Sequence, residues 1–290
     1  MAGISVFSDL DASPDPDAAL RYLDDTDGFM SAFKAYVAAA LARYVPGGRV
    51  LDVGCGAGHD LARLAAAGLT PTGVDLSRAA LVRARDRCRS VAQADGHRLP
   101  FRDEAFDGCR IERVLQHVAD PGTVLDEVIR VVRPGGVLAV LEPDQSALRV
   151  ASDVDPSGGL VASQALATHP TMGSQLEQLL RDRGCAVDDV VTERSYGYQL
   201  DGLPLKAVPA LRRAVAHGLI SEEIADAWLT EQAERTHNGT FRATWPKVLV
   251  VARTQRQQPC SAEGGRAPKH RSPSRGGDQA VAVAFRTPSG

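Results

Sequence analysis

Hydrophobic positions in the first half of the chain follow two alternating patterns. Short apolar runs bounded by turn residues are typical of buried strands, and the chain has five of them. They lie at 49–53, 71–75, 90–94, 106–112 and 137–141. Between them, apolar residues recur at helical spacing and predict helices over 59–67, 77–89 and 121–132. Strands that alternate with helices predict an α/β fold, a parallel sheet covered by helices on both faces.

The pattern changes on either side of this region. An amphipathic helix is predicted over 24–44, ahead of the first strand. Beyond residue 142 the sequence predicts a helix over 174–184, a strand over 186–199, mainly helical structure over 203–235 and a last strand near 247–252. We therefore expect a doubly wound, mostly parallel sheet of seven strands, with a helical insertion before the last strand.

Composition indicates where the folded part begins and ends. Residues 1–20 are acidic and contain Pro14 and Pro16, which predicts a flexible arm. Residues 253–290 are rich in Gly, Ser, Pro and Arg and hold seven Lys or Arg against two Asp or Glu, which predicts a disordered basic tail. A single domain is expected between them, over 21–252.

Charge and cysteine content limit the class of protein. The chain of 290 residues has a net charge of -3, and its body lacks the basic stripe of a nucleic-acid-binding protein. The five cysteines are widely separated, without the spacing of a zinc site, so no metal is expected. Because no signal peptide or long apolar stretch occurs, we expect a cytoplasmic protein that binds neither nucleic acid nor membrane.

A glycine-rich stretch, VLDVGCGAGHD at 50–60, follows the first predicted strand. Gly54, Gly56 and Gly58 would allow positive φ and a close approach of a ligand to the main chain. A triphosphate-binding loop is excluded because the sequence Gly-Lys-Ser/Thr is missing. The dinucleotide pattern Gly-x-Gly-x-x-Gly fits the first two glycines, but its third glycine would fall on His59, which counts against NAD without excluding it.

The same stretch resembles the first motif of the class I S-adenosylmethionine (SAM)-dependent methyltransferases, in which an acid, here Asp52, precedes the first glycine by two positions. An acid suits SAM, which carries an ammonium and a sulfonium group and no pyrophosphate. Further motifs agree in order and spacing: PTGVDLS, AQADGHRLPFRDEAFD, IERVLQHVADP and EVIRVVRPGGVLAVLEPD. They resemble the methyltransferase type 11 subgroup that includes the ubiquinone and menaquinone enzymes, and the resemblance covers 49–144.

The resemblance implies a Rossmann-like fold with SAM as the cofactor, a cofactor-binding core at 49–144 and substrate-side segments at 145–235. Asp75 would accept the ribose hydroxyls, Leu76 would pack against adenine, and Asp95 would accept from the adenine amino group. The implied cofactor-binding residues are Asp52, Gly54, Gly56, Gly58, Asp75, Leu76, Asp95, Gly96, Glu112 and Arg113, together with Tyr22 and His59.

Three residues are candidates for a general base. His117 lies one turn beyond the fourth strand, where an imidazole could take a proton from a hydroxyl or an amine. Glu142 and Asp144 follow the fifth strand, toward the same expected pocket. Each has a structural alternative, which is loop packing for the histidine and turn capping for the two acids.

These features predict an enzyme, a SAM-dependent methyltransferase that methylates O, N or C of a small molecule, such as a secondary metabolite or a quinone-like compound. The NPPY-like tetrapeptide of the methyltransferases that act on nucleic-acid amino groups is absent, since IERV stands there at 111–114. Two alternatives stay open: an enzyme that uses SAM to catalyse a cyclisation or rearrangement without methyl transfer, and a non-catalytic SAM-binding partner of another enzyme.

Overall fold

Eight strands form one sheet in the part of the chain that the computed structural model describes, which is residues 10–11, 20–21, 31–155, 168–197, 211–212 and 214–255. The strands are β1 (Arg49–Val53), β2 (Thr70–Asp75), β3 (Val91–Gln93), β4 (Phe106–Glu112), β5 (Val132–Pro143), β6 (Arg149–Val150), β7 (Ala186–Gly197) and β8 (Ala243–Arg253). The helices are α1 (Ser31–Tyr44), α2 (His59–Ala66), α3 (Arg78–Ala84), α4 (Pro121–Val131), α5 (Met172–Asp182) and α6 (Glu222–His237).

The order of the strands confirms the doubly wound α/β fold. The order is β3-β2-β1-β4-β5-β8-β6, and β7 also pairs with β8. The pairings among β1 to β5 are all parallel, whereas β8 is antiparallel to β5, β6 and β7. The chain winds outward in opposite directions from β1 and from β4. Ligands of such sheets bind beyond the carboxyl ends of the two strands at this switch point.

Two layers of apolar side chains cover the two faces of the sheet. On one face, α4 and α5 pack Val128 and Leu176 against Ile111 and Leu138. On the other, α1 and α2 place the helix residues Leu41 and Leu64 in a second cluster of buried side chains. Burial of each such side chain contributes about 1.5 to 3 kcal/mol. Among the described helices, none is both long and apolar enough to cross a membrane.

Two of the differences from the predicted elements concern strands of the sheet. The described residues form eight strands rather than seven, because the two-residue strand β6 pairs with the beginning of β8, and so short a strand has no periodicity to recognise. The strand predicted over 137–141 extends over Val132–Pro143. This extension includes Pro134 and also Gly135, which has a φ of 76°, and both residue types are uncommon inside strands.

Two predicted helix starts are confirmed. The Ser77 hydroxyl accepts a hydrogen bond from Ala80 N at 3.1 Å and caps α3. Asp120 caps α4 in the same way, accepting from Gly122 N at 2.9 Å, with Pro121 in the first turn. Side-chain caps of this kind satisfy main-chain donors that have no partner within the helix.

Described residues just outside the predicted domain, 21–252, pack against it at both ends. From the predicted arm at 1–20, the structure describes Leu10, Asp11 and Leu20, and both leucines are buried against α3. Asp11 accepts from Ser77 Oγ at 2.5 Å and from Arg78 N at 2.8 Å. At the other end, Thr254 is buried next to the last strand. Residues 256–290 of the predicted tail lie outside the described residues.

Candidate cofactor site

A cavity of about 380 Å³ lies at the carboxyl ends of β1, β2 and β4. It is at the switch point of the sheet, where the fold predicts a ligand. Ten residues singled out from the sequence line it: Gly54, Gly56, His59, Asp75, Leu76, Asp95, Gly96, Glu112, Arg113 and His117. Asp52, Gly58, Glu142 and Asp144 are not part of its lining, and Tyr22 lies outside the described residues.

Two glycines of the loop at 54–58 are required by close packing. Gly54 has a φ of +72°, and a Cβ there would lie 2.3 Å from Val114 Cγ2. Gly58 begins α2 at a φ of +84°, where a Cβ would lie 2.9 Å from Ala84 Cα. Positive φ combined with such short distances leaves no space for a side chain. Gly54 therefore shapes the cavity directly, whereas Gly58 packs α2 against α3.

Asp75, at the end of β2, connects its own strand to the glycine loop. Its Oδ2 accepts from Gly56 N and its Oδ1 from Ser77 N, both at 2.8 Å. Burial raises the pKa of this carboxyl, and the two main-chain donors oppose that effect. Each carboxylate oxygen can accept a second hydrogen bond. Asp75 can thus hold the loop and still accept hydroxyl groups of a ligand.

Asp95, at the opposite rim, is held by a histidine that the sequence analysis missed. His97 Nδ1 lies 2.6 Å from Asp95 Oδ1, and His97 N donates to the same oxygen at 2.9 Å. His97 Nε2 accepts from Asp120 N at 3.2 Å, which places the ring proton on Nδ1. Partial burial favours the neutral carboxyl, but His97 outweighs it and lowers the pKa of Asp95.

The wall of the cavity at the β4 end contains charged side chains that are almost completely buried. We call Lys34, Asp52, Asp60, Arg110 and Glu112 the buried charge cluster; each is at most 8% exposed. Charged side chains are almost never buried to this extent without partners.

Arg110 occupies the centre of the buried charge cluster. Strand register places it opposite Asp52, and its Nη1 lies 2.8 Å from Asp52 Oδ1. Its Nη2 lies 2.7 Å from Asp60 Oδ2 and also contacts Glu112 Oε2. Burial alone would lower the pKa of this guanidinium, but the three acids outweigh burial and raise it. Burial raises the pKa of Asp52 to about 6, and Arg110 only partly opposes that effect.

Lys34 joins helix α1 to the same cluster. Its Nζ lies 2.6 Å from Asp60 Oδ2 and 3.3 Å from Glu112 Oε1. Burial would favour the neutral form of Asp60, but Arg110 and Lys34 outweigh it and lower the pKa of that carboxyl. The sequence analysis missed both cations. Arg110 could have been noticed, because charged residues two positions apart in a buried strand lie on the same face and need partners.

The three candidate bases occupy different environments. His117 lines the cavity. Glu142 is completely buried, and its Oε1 accepts from Val114 N at 2.8 Å and Leu115 N at 2.7 Å. Burial raises the pKa of Glu142 to about 8. Asp144 accepts from Ser146 N and caps a short 3₁₀ turn. Glu142 and Asp144 therefore both bind main-chain N–H groups, as in the structural alternatives given for them. Of the three candidates, His117 alone lines the cavity.

Arg113 follows β4 with an unusual backbone. Its φ is 56°, although it is not a glycine. Its N donates to Leu141 O at 2.9 Å, and its Nε lies 3.3 Å from Glu112 Oε1. Positive φ at a non-glycine residue persists where the surrounding structure holds it, and such positions concentrate at functional sites. Here the backbone turns the chain from β4 into the loop that carries His117.

The cavity fits SAM by the chemistry of its lining. Acidic residues line the cavity at the carboxyl ends of β2 and β4, where the ammonium and hydroxyl groups of SAM would find acceptors. Two buried carboxylate oxygens, Asp52 Oδ2 and Glu112 Oε1, accept no hydrogen bond from the described residues. Within those residues, no group of His, Cys, Asp and Glu has the arrangement of a metal site, and the four cysteines are free.

Comparisons with known proteins agree with this chemistry. A family model described as a methyltransferase domain matches residues 51–140. An uncharacterized 37.1 kDa protein in transposon Tn4556 of Streptomyces fradiae is 35% identical over 260 residues, which cover 83% of this chain and 72% of that protein. A demethylmenaquinone methyltransferase of Parafrankia sp. is 36% identical over 165 residues, 46% of this chain and 65% of that enzyme. The chain thus spans slightly less than two thirds of the second relative.

A solved structure shows the same fold. The YcgJ protein of Bacillus subtilis superposes with a TM-score of 0.57 at 17% identity, over 78% of this chain and 100% of that one. The matched family model contains the glycine loop and the ends of β2 and β4, which form the cavity. The predictions of fold, enzyme class and cofactor are therefore confirmed: residues 51–140 match the domain of a SAM-dependent methyltransferase, and SAM is the cofactor.

Proposed function

We propose that this protein transfers the methyl group of SAM to O, N or C of a small-molecule acceptor, such as a secondary metabolite or a quinone-like compound. The observation that carries the proposal is the cavity in which the glycine loop, Asp75 and Glu112 meet at the switch point of the sheet. Similarity to a demethylmenaquinone methyltransferase supports a small acceptor with a quinone-like ring.

We assign the nucleoside part of SAM to the β2 end of the cavity. Asp75 would accept the ribose hydroxyls with the lone pairs that its two main-chain donors leave free. Leu76 is 52% exposed and would cover one face of the adenine. Asp95 would accept from the adenine amino group, with His97 holding the carboxylate in place. Gly96, which also lines the cavity, would offer its main-chain N–H.

The methionine part would then extend toward β1 and β4. The main chain at Gly54 and Gly56 lines this side, together with His59, Glu112 and Arg113. The ammonium group of SAM needs acceptors and its carboxylate needs donors. Glu112 would supply an acceptor and Arg113 would supply donors, whereas Asp52 is completely buried and lies outside the cavity lining. Opposite charges at neighbouring positions would fix the direction in which this part of the cofactor lies.

Bound SAM supplies a methyl group that is already activated by its sulfonium. The remaining task of the protein is to align the acceptor with that methyl group and to exclude water. His117 lines the cavity on the side of the β4 loop and would accept a proton when the acceptor is a hydroxyl or an amine. Glu142 would act through the main chain, since it holds Val114 and Leu115 ahead of His117.

The proposal is tested by incubating the full chain with SAM and a panel of small acceptors that includes demethylated quinones and phenols. We expect release of S-adenosylhomocysteine together with an acceptor product heavier by one methyl group. The variant Asp75→Ala, which loses the proposed ribose acceptor, is the matched control and should reduce both signals together. Tight SAM binding without S-adenosylhomocysteine from any acceptor would overturn methyl transfer and favour the two alternative functions.

A further inference from the structure

A leucine near the start of the chain forms part of the cofactor cavity. Leu10 belongs to the cavity lining, on the side that also includes Leu76 and Ala80. It is only 6% exposed and lies in an apolar cluster with Leu20 and Ala80. The wall of the cavity next to α3 is thus completed by an apolar side chain from a segment that precedes the first strand.

The next residue along the chain fixes this segment to helix α3. Asp11 Oδ1 accepts from Ser77 Oγ at 2.5 Å and from Ala79 N at 3.3 Å, and its Oδ2 accepts from Arg78 N at 2.8 Å. The hydrogen bond from Ser77 lowers the pKa of Asp11, so the carboxylate is ionised at neutral pH. Hydrogen bonds to an ionised acceptor are stronger than those between neutral groups. Three donors on one turn therefore hold Asp11 in place, although its side chain is exposed.

The turn that binds Asp11 also carries the proposed ribose acceptor. Ser77 N donates to Asp75 Oδ1 at 2.8 Å, while the hydroxyl of the same serine donates to Asp11. Asp75 in turn accepts from Gly56 N of the glycine loop. The contact of Asp11 is therefore made directly at the β2 end of the cavity.

The distribution of charge favours the same placement. Residues 1–20 contain four Asp and no Lys or Arg, whereas residues 78–89 contain five Arg and one Asp. Complementary charges attract two surfaces and help to determine how they meet. Asp11 binds at the beginning of the arginine-rich segment. The acidic segment is therefore attracted to the side of the cavity on which Leu10 lies.

We propose that Leu10 and Asp11 form a strap over the nucleoside part of SAM, in which Leu10 covers the cofactor and Asp11 is a positioning residue that holds Leu10 there by binding the first turn of α3. The inference rests on the nucleoside site proposed above. Opening of the strap would remove an apolar contact from the bound cofactor and expose it to water. The strap should therefore act mainly on the rate at which SAM dissociates.

The test is the dissociation rate of SAM from the full chain, measured by displacing radiolabelled SAM with an excess of unlabelled SAM. We expect Leu10→Ala to increase this rate about five- to tenfold, since it removes most of an apolar side chain from the cavity wall. Asp11→Ala should increase it about threefold, because Leu10 can still pack against Ala80 for part of the time. Asp11→Asn retains one acceptor oxygen and should lie between Asp11→Ala and the wild type.

Two matched controls remove side chains of the same kinds elsewhere. Val82→Ala truncates an apolar residue of α3 that is 58% exposed and lies outside the cavity lining. Asp188→Ala removes an exposed acid that accepts two hydrogen bonds from Arg253, both at 2.7 Å. Both controls should release SAM at the rate of the wild type.

A double variant distinguishes positioning from a separate structural role. If Asp11 acts by holding Leu10, its removal has little further effect once Leu10 is truncated, so the two effects are not additive. Leu10→Ala/Asp11→Ala should therefore release SAM at about the rate of Leu10→Ala alone. A rate increase equal to the product of the two single effects would show that the residues act independently and would overturn the positioning role.

Hydrogen exchange measured by NMR reports the contact of Asp11 without any cofactor. Arg78 N and Ala79 N donate to Asp11, whereas Ala80 N donates to Ser77 Oγ within α3. In Asp11→Ala the first two amides should exchange faster, and the amide of Ala80 should keep its protection. Unchanged exchange at Arg78 would mean that Asp11 does not bind this turn.

A wild-type dissociation rate in either single variant would overturn the strap. Asp75→Ala distinguishes this failure from failure of the cofactor site on which the inference rests. If Asp75→Ala also leaves SAM binding unchanged, the nucleoside site is misplaced. If Asp75→Ala weakens binding and the variants of Leu10 and Asp11 do not alter release, the strap alone is wrong.

Discussion

The two ends of the cofactor cavity are held by different kinds of contact. At the β2 end, Asp75 accepts from the main-chain N–H groups of Gly56 and Ser77. At the β4 end, Arg110 holds Asp52 across two strands, from 58 positions away in the chain. The β2 end depends on main-chain N–H groups, which every residue except proline has. The β4 end depends on individual charged side chains.

This difference determines how each end responds to change. Main-chain donors remain when a neighbouring side chain is replaced, so the β2 end depends mainly on Asp75 itself. The β4 end is a network in which the loss of one charge leaves another buried without a partner, and such losses are much larger than those of exposed ion pairs. We therefore expect substitutions in the buried charge cluster to affect folding and those at the β2 end to affect SAM binding.

The largest effect is expected for Lys34→Met. Methionine keeps the length and the apolar stem of the lysine side chain but removes its ammonium group, so Asp60 and Glu112 have one buried cation fewer. Loss of one partner from a buried ion pair typically costs about 3 to 5 kcal/mol, so the free energy of unfolding in urea should fall by that order. Arg63→Met, which removes a less buried partner of the same Asp60, should cost under about 1 kcal/mol. If the free energy of unfolding fell equally in the two variants, the buried and the less buried cation would contribute equally to stability, and the comparison would fail.

Asp75→Ala is expected to act on cofactor binding. It removes the acceptor of Gly56 N and the proposed ribose acceptor, and hydrogen bonds to a charged group are worth about 1.5 to 3 kcal/mol. SAM affinity measured by calorimetry should fall by about ten- to a hundredfold. Asp75→Asn retains one acceptor oxygen and should lose less. An Asp75→Ala protein that is folded and binds SAM like the wild type would show that the ribose lies elsewhere.

Glu142 should make stability depend on pH beneath the β4 end. Its folded-state pKa of about 8 lies above the ordinary value of 4.5, so the folded protein holds a proton that the unfolded chain releases. The free energy of unfolding should therefore fall as pH rises from about 4.5 to about 8, by at most about 1.4 kcal/mol per pH unit. Glu142→Gln can still accept from the main chain and cannot ionise, so its unfolding profile in urea should be flatter.

A control with the opposite sign is Glu127. Its hydrogen bonds with Arg130, which outweigh its burial, lower its pKa, so its contribution to stability is present above the unfolded pKa and lost as pH falls. Glu127→Gln should therefore lose stability at neutral pH, whereas Glu142→Gln should not. Parallel pH profiles for Glu142→Gln and the wild type would show that Glu142 is not the source of the dependence.

The smallest effect is expected at the adenine rim. His97→Ala removes the side chain that holds Asp95 and accepts from Asp120 N, and a typical hydrogen bond contributes about 0.5 to 1.5 kcal/mol. SAM affinity should fall by less than about tenfold, with little change in thermal stability because Asp95 is largely exposed. His237→Ala, at the end of α6, is the control. If His97→Ala lost more SAM affinity than Asp75→Ala, Asp95 rather than Asp75 would be the more important acid for cofactor binding.

The sequence predicted the β2 end more completely than the β4 end. Asp75 and Asp95 were implied by the resemblance to the methyltransferase motifs, and both line the cavity. Glu112 was predicted for the same reason, but its partners Lys34 and Arg110 were not. Lys34 lies on a helix far from the motifs, and its contact with Asp60 exists only after α1 packs on the sheet. Glu142 and Asp144 were predicted as possible bases, yet both bind main-chain groups nearby.

The sequence by itself determined the elements, the order in which they alternate and the residues that end each strand, because periodicity and turn residues act over a few positions. It thereby determined the fold class, and the resemblance of its motifs to those of the class I SAM-dependent methyltransferases implied the cofactor. Only the tertiary structure decided which charges share the interior, because a buried carboxylate is stable only beside a cation that strand register and helix packing bring to it. Asp52 meets Arg110 because β1 pairs with β4 in one register, and that pairing joins residues that no local pattern connects.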